Sequence, residues 1–281
     1  MLYIFTATYY EASAWISRYS LKRDTSVSRF QVFYNEQENI RVTITGTGMV
    51  SAAAAVSSIC TAVLPGKQDF LLNIGICAEC PDGQGQIGEL FLCHKITETV
   101  TGKTFYPDIL YRHNFKEAEL LTGAKPFQKG MWHRPGFFVY DMEASAIYQA
   151  GSYFFSPHQM VFLKIVSDNG CGDRVTPEQV KGLCALHMDS VADYASRLCT
   201  IGRVEKGQDF LWDGAVVDKL CCDMCCSATM ALSVKQHIIY CQLAGVDFRA
   251  VIQEMYQAGK LPCRTKKEGK RCFEEFRQRL L

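Results

Sequence analysis

Short apolar runs alternating with helix-length segments constrain this chain most. "MLYIFTAT" (Met1–Thr8), "DFLLNIGICAEC" (Asp69–Cys80), "ELFLCHKITETV" (Glu89–Val100) and "QMVFLKIVSDNG" (Gln159–Gly170) read as strands. The second and fourth are apolar enough for burial on both faces. "FQVFY" and "IRVTITGTG" read as a strand pair with the turn at Asn35–Asn39. Between the strands, a glycine turn opens the alanine-rich helix "GTGMVSAAAAVSSICTAVLPG", which Pro65-Gly66 stops. "FFVYDMEASAIYQAG" reads as strand into helix. In "VTPEQVKGLCALHMDSVADYASRLC", Thr176 is the expected N-cap and Pro177 the first helical residue, with Val180, Cys184, Met188, Val191, Ala195 and Leu198 on one face. Residues 101–135 show no clear period and read as a long loop with short elements.

This alternation predicts an α/β fold, a three-layer α/β/α sandwich around a central mixed, largely parallel sheet. "IGRVEKGQD" reads as a linker and everything beyond it as helix. The expected domains are therefore 1–204 and a helical Cys-rich C-terminal extension, 205–281.

A net charge of +1 gives no general drive toward nucleic acid or membrane. No stretch approaches the ~20 apolar residues needed to span a bilayer. The N-terminal run lacks a preceding basic region and reads as a strand rather than an export signal. The fourteen cysteines lie mostly in apolar segments, which suits reduced thiols in the cytoplasm. In the tail, Cys221 with Cys225 and Cys222 with Cys226 fall at i, i+4. Adjacent pairs on one helix do not match the usual zinc spacing, so packing is the preferred reading and no metal is expected. Cys77 and Cys80 form a CxxC at a strand end, read as packing or pocket lining. Residues 260–281 carry basic residues together with Phe273, Phe276 and Leu280 at helical spacing. They read as an amphipathic helix with a solvated basic face, and docking to nucleic acid or another protein is the other reading.

Ligands of open α/β sheets bind beyond the carboxyl ends of the strands. Glu11, Asn73 and Gly75, Glu143 and Asp168 all fall at such ends. Three carboxylates are thus candidates to share one crevice. The motifs "GTGMVSAAAA", "NIGICAE", "YDMEASAIYQ" and "FLKIVSDNG", in this order and spacing, resemble the purine nucleoside phosphorylase/nucleosidase superfamily over roughly residues 1–200. The nearest likeness is to the methylthioadenosine/S-adenosylhomocysteine nucleosidases. The resemblance implies that Glu143 binds the ribose 2′- and 3′-hydroxyls and that Met142 lies against the sugar. It implies that Asp168 protonates or hydrogen-bonds N7 of a purine, and that Glu11 activates a water. It also implies a homodimer, a nucleoside substrate and no cofactor.

Phosphorylases of that superfamily cradle a dianion with a glycine- and arginine-containing first loop. Here that loop is "TATYYEAS", and Asn73 stands where they tend to carry arginine. Hydrolysis is therefore favoured over phosphorolysis. The chain departs from the nucleosidases at Ile76 (often serine), at Ala78 and Glu79 (a glycine pair) and at Lys164, where arginine often lies near the water. Ile76 and Glu79 also leave room for a non-catalytic nucleoside sensor with a partner-binding tail. Phe105 and Tyr106 are candidates for the 5′ side of the ribose.

Overall fold

Strand β5 (Phe70–Cys80) organises the first part of the molecule, because it has different neighbours along its length. The structure, a computed structural model, describes residues 1–80, 86–130, 136–171, 175–207, 214–244 and 246–280. The chain forms two compact units, Met1–Lys206 and Gly207–Leu281.

In the first unit β1 (Leu2–Thr6) lies between β5 and β4 (Ile40–Ile44), parallel to both. β3 (Gln31–Asn35) and β2 (Lys22–Asp24) extend that side antiparallel. On its other edge β5 pairs in parallel with β10 (Met160–Asp168). β10 pairs with β6 (Leu90–Glu98), β6 with β8 (Lys116–Thr122), β8 with β9 (Phe138–Asp141), and β9 returns to β5. Five strands thus close into a ring, with β7 (Thr104–Phe105) beside the far end of β6. The sheet is mixed as expected; among the described residues, five ladders are parallel and five antiparallel.

Alternation along the buried strands separates two cores. Leu2, Ile4, Leu72 and Ile74 face α1 (Tyr9–Arg18) and α4 (Pro177–Gly207), whose Trp15, Val180, Val191 and Leu198 complete that layer. Tyr3, Phe5 and Leu71 face α2 (Met49–Ala62) and α3 (Ala144–Gly151) on the opposite side. All six residues expected on one face of the long helix are buried.

Several expectations are corrected. "TATYYEAS" is not a loop: Thr6 ends β1, and two residues on a Thr8–Glu11 capping box opens α1 and satisfies orphan N–H groups of its first turn. Asn73 and Gly75 do not end their strand. Both lie inside β5, where Gly75 pairs in register with Lys164 and the ladder continues to Cys80. The region 101–135 contains β8, a seven-residue strand whose "KEAELLT" carries charge mainly toward one end. α4 runs to Gly207, through most of the stretch read as a linker.

The second unit is helical: α5 (Gly214–Asp223), α6 (Ala228–Ala244), α7 (Phe248–Gln257) and α8 (Lys266–Leu280). Its core includes Leu220, Val234, Ile238, Met255, Phe273 and Phe276. Cys241 and Cys272 are buried in it. Among the described residues no helix is long and apolar enough to cross a membrane. Trp15→Ala is expected to lower stability by about 3–5 kcal/mol, read from urea unfolding, since Trp15 is 1% exposed in a closed core. Tyr153→Ala, at a side chain 87% exposed, should stay within about 0.5 kcal/mol.

Candidate active site

Where β5 exchanges one neighbour for another, its edge is open. β1 pairs with Phe70–Asn73 and β9 with Ala78–Cys80 on the same side. Among the described residues, Ile74–Cys77 have no ladder partner there. α1 fills this gap: Ile76 N–H donates to Glu11 Oε1 at 2.9 Å. Glu11 Oε2 in turn accepts from Thr8 N–H at 2.7 Å and from the Thr8 hydroxyl at 3.1 Å. A Cβ on Gly75 would stand 2.6 Å from Glu11 Oε1, so only glycine admits this carboxylate so close to the strand.

A cleft of about 580 Å³ opens at this point, within the size range of small-molecule sites. Glu11, Ile76, Met142, Glu143 and Asp168 line it, together with Asp141. The cleft brings together all three carboxylates picked out from the sequence. Glu143 is the residue just before α3, and its Oε1 accepts Gly48 N–H at 2.7 Å. Gly48 has φ 97°, a conformation glycine adopts readily, and it begins α2 without a side-chain cap. The glycine turn of "GTGMVSAA" thus aims a backbone donor at a carboxylate 95 residues away. Asp168 ends β10, with Oδ2 accepting from the Ser167 hydroxyl at 2.8 Å and Oδ1 from Gly170 N–H at 3.0 Å.

Lys164, Asn73 and Gly75 do not line the cleft. The Lys164 ammonium is 2% exposed and pairs with Asp141 Oδ2 at 2.8 Å. Asp141 also accepts from the Thr122 hydroxyl at 2.7 Å and from Ala144 N–H, at the start of α3, at 2.9 Å. Asp141 is a residue that sequence reasoning missed. Its signal was a carboxylate two residues before Glu143 on a strand otherwise apolar, facing a lysine inside another buried strand. Asn73 Nδ2 donates to Phe5 O at 3.0 Å and tethers β5 to β1. Phe105 and Tyr106 also lie outside the lining. Phe105 stacks on Tyr148, with ring centroids 5.1 Å apart, and Tyr106 is 58% exposed. They belong to or follow β7, which pairs with the far end of β6. The aromatic wall comes instead from Phe127 and Tyr140, whose rings lie 5.4 Å apart.

Electrostatics follow from desolvation. Burial pushes the Glu11 carboxyl up, against the lowering effects of its bond from Ile76 and of the Lys164 charge. Burial likewise raises Glu143 to about 7, helped by Asp141 and opposed by Lys164 and Gly48 N–H. For Lys164, burial alone would lower the ammonium, but Asp141, Glu143 and Glu11 outweigh it and the net shift is upward.

No family model and no curated protein sequence matches the chain. Solved structures do. A Helicobacter pylori MTAN mutant with 5′-methylthioadenosine in its active site superposes with TM-score 0.58 at 10% identity, over 70% of this chain and 98% of that one. The Neisseria meningitidis 5′-methylthioadenosine/S-adenosylhomocysteine nucleosidase, in complex with methylthio-immucillin-A, gives 0.57 at 18% identity, over 68% and 96%. The fold is that of the MTA/SAH nucleosidases. The Arabidopsis thaliana 5′-methylthioadenosine nucleosidase shares it too, at TM-score 0.54 and 17% identity over 72% and 95%. At these identities it is the MTA/SAH nucleosidase architecture that is shared.

Two outcomes are expected. A carboxyl with a folded pKa of about 7 and an unfolded value of 4.5 destabilises the fold progressively as pH rises between those values, and by a constant amount above. Glu143→Gln, which keeps an acceptor for Gly48 N–H, should therefore match the parent below pH 4.5 and exceed it above pH 7, by on the order of 1–3 kcal/mol in urea unfolding across the pH range. Gly75→Ala should displace Glu11 from Ile76 N–H and cost about 1–3 kcal/mol in the same measurement.

Proposed function

We propose that this protein hydrolyses the N-glycosidic bond of a purine nucleoside or 5′-modified adenosine, releasing the free base. One observation carries the reading: the described lining of the cleft holds four carboxylates, Glu11, Asp141, Glu143 and Asp168, and no lysine or arginine. Cleavage of a glycosidic bond develops positive charge on the sugar, which such a lining stabilises. Among the described lining residues a phosphate dianion would meet like charge and no cationic donor, so water is the preferred nucleophile.

In this proposal Glu11 is the general base. Its two oxygens are fixed by Ile76 and Thr8, and burial raises its affinity for a proton. Glu143 takes the paired ribose hydroxyls, since a carboxylate accepts two hydrogen bonds side by side. Gly48 N–H holds one of its oxygens, leaving lone pairs toward the cleft. Met142 lies against the sugar. Asp168, oriented by Ser167 and Gly170, delivers or shares the proton at N7 and makes the base a better leaving group. Phe127 and Tyr140 give the flat base an apolar wall. Lys164 pairs with Asp141, whose carboxylate holds Ala144 N–H in place at the start of α3. The bound nucleoside and nucleoside analogue of the neighbours suit the same substrate class.

The test is base release from 5′-methylthioadenosine and a panel of nucleosides, with and without phosphate. Turnover in phosphate-free buffer is expected, and Asp168→Asn and Glu143→Gln should each lower it about 10²–10⁴-fold. Turnover that requires phosphate and yields ribose-1-phosphate would establish a phosphorylase instead. Binding without base release would establish a sensor.

A further inference from the structure

The cysteines of the helical extension are not spent on packing alone. Cys263 N–H donates to Asp223 O at 2.7 Å, which holds the chain between α7 and α8 against the end of α5. Two thiols then converge on one acceptor in that segment. The Cys263 Sγ lies 3.5 Å from the Lys260 carbonyl oxygen, and the Cys272 Sγ lies 3.6 Å from the same atom. Both sulfurs thus gather about one carbonyl oxygen, within interaction range of each other. Cys263 is half-buried, whereas Cys272 is 6% exposed on the inner face of α8. A thiol that only filled core volume would not sit half-exposed with its sulfur aimed at a carbonyl and a second thiol.

We propose that Cys263 and Cys272 form a dithiol that hydrogen peroxide converts to an intramolecular disulfide. The roles are unequal. Cys263 is half-buried and open to a small oxidant, whereas Cys272 lies in the core, where burial raises its thiol to about 12. Cys263 therefore attacks and Cys272 resolves. In the first step the Cys263 thiolate displaces hydroxide from the peroxide and becomes a sulfenic acid. In the second the Cys272 sulfur displaces the sulfenic oxygen, which leaves as water with the Cys272 proton. Two thiols and one peroxide give one disulfide and two waters. The bond closes the loop containing Thr265, the first turn of α8 and Gly269, and locks α8 to the segment that Asp223 holds.

The experiment treats the whole chain with equimolar peroxide, denatures it, alkylates the remaining thiols and maps the peptides. The expected result is a Cys263–Cys272 cross-link and the loss of two alkylatable thiols out of fourteen. Cys263 and Cys272 both alkylated, while the exposed Cys171 and Cys222 are oxidised, would overturn the proposal. Order is tested by trapping with dimedone. Cys272→Ser should leave Cys263 as a dimedone-labelled sulfenic acid, and Cys263→Ser should leave Cys272 unlabelled. The reverse pattern would overturn the assignment of roles. Should either variant fail to fold, the map of the unmodified chain decides alone.

Discussion

β5 cannot keep one neighbour along its whole length, and the site depends on that break. β1 leaves its edge after Asn73 and β9 joins it at Ala78. Backbone N–H groups stranded between two ladders must find partners. Ile76 finds one in Glu11, delivered by the first turn of α1. The same gap that needs a side-chain acceptor leaves space outside it, so cleft and carboxylate arise together. Gly75 is required because the carboxylate lies against the strand itself.

Charge is the second constraint. Glu11, Asp141 and Glu143 are buried, and one ammonium, Lys164, is buried with them. A lone buried lysine would be driven toward neutrality, yet these carboxylates hold it charged. With Lys164 the single buried cation among these three acids in the described residues, burial pushes Glu11 and Glu143 upward, and Glu143 titrates near neutrality. Such groups weaken the fold at the pH where they ionise, and sites that do chemistry commonly accept that cost. Backbone donors soften it: Gly48 for Glu143, Ile76 and Thr8 for Glu11, Gly170 for Asp168.

Much of the fold was legible in residue order, because buried strands and amphipathic helices have different periods. The alanine-rich helix, the face of α4 and the strand-to-helix handover at Glu143 all follow from that. Failures occurred where a local rule met a tertiary override. The glycine at 75 looked like a strand end, but it serves close packing of a carboxylate. "TATYYEAS" looked like a loop because its helix is short, although Thr8 and Glu11 spell a capping box. β8 escaped notice because its buried half is continuous rather than alternating. Among the residues that line the cleft, Glu11, Glu143 and Asp168 were readable as polar groups at or just past strand ends. Phe105 and Tyr106 were not positioned by any periodicity: Phe105 stacks on Tyr148, and the Tyr106 carbonyl accepts from the Tyr148 hydroxyl.

The amino-acid sequence alone determined the layered α/β class, the helical character of the tail and the identity of the acidic residues, since these rest on interactions within a few residues. Only the tertiary structure decided that Glu11 would meet Ile76 across 65 residues and Glu143 would meet Gly48 across 95. It alone paired Lys164 with Asp141 inside the protein. Those outcomes depend on which strand lies beside which, and on how completely water is excluded. Strand pairing and dielectric environment are properties of assembled layers, which no short window of residues contains.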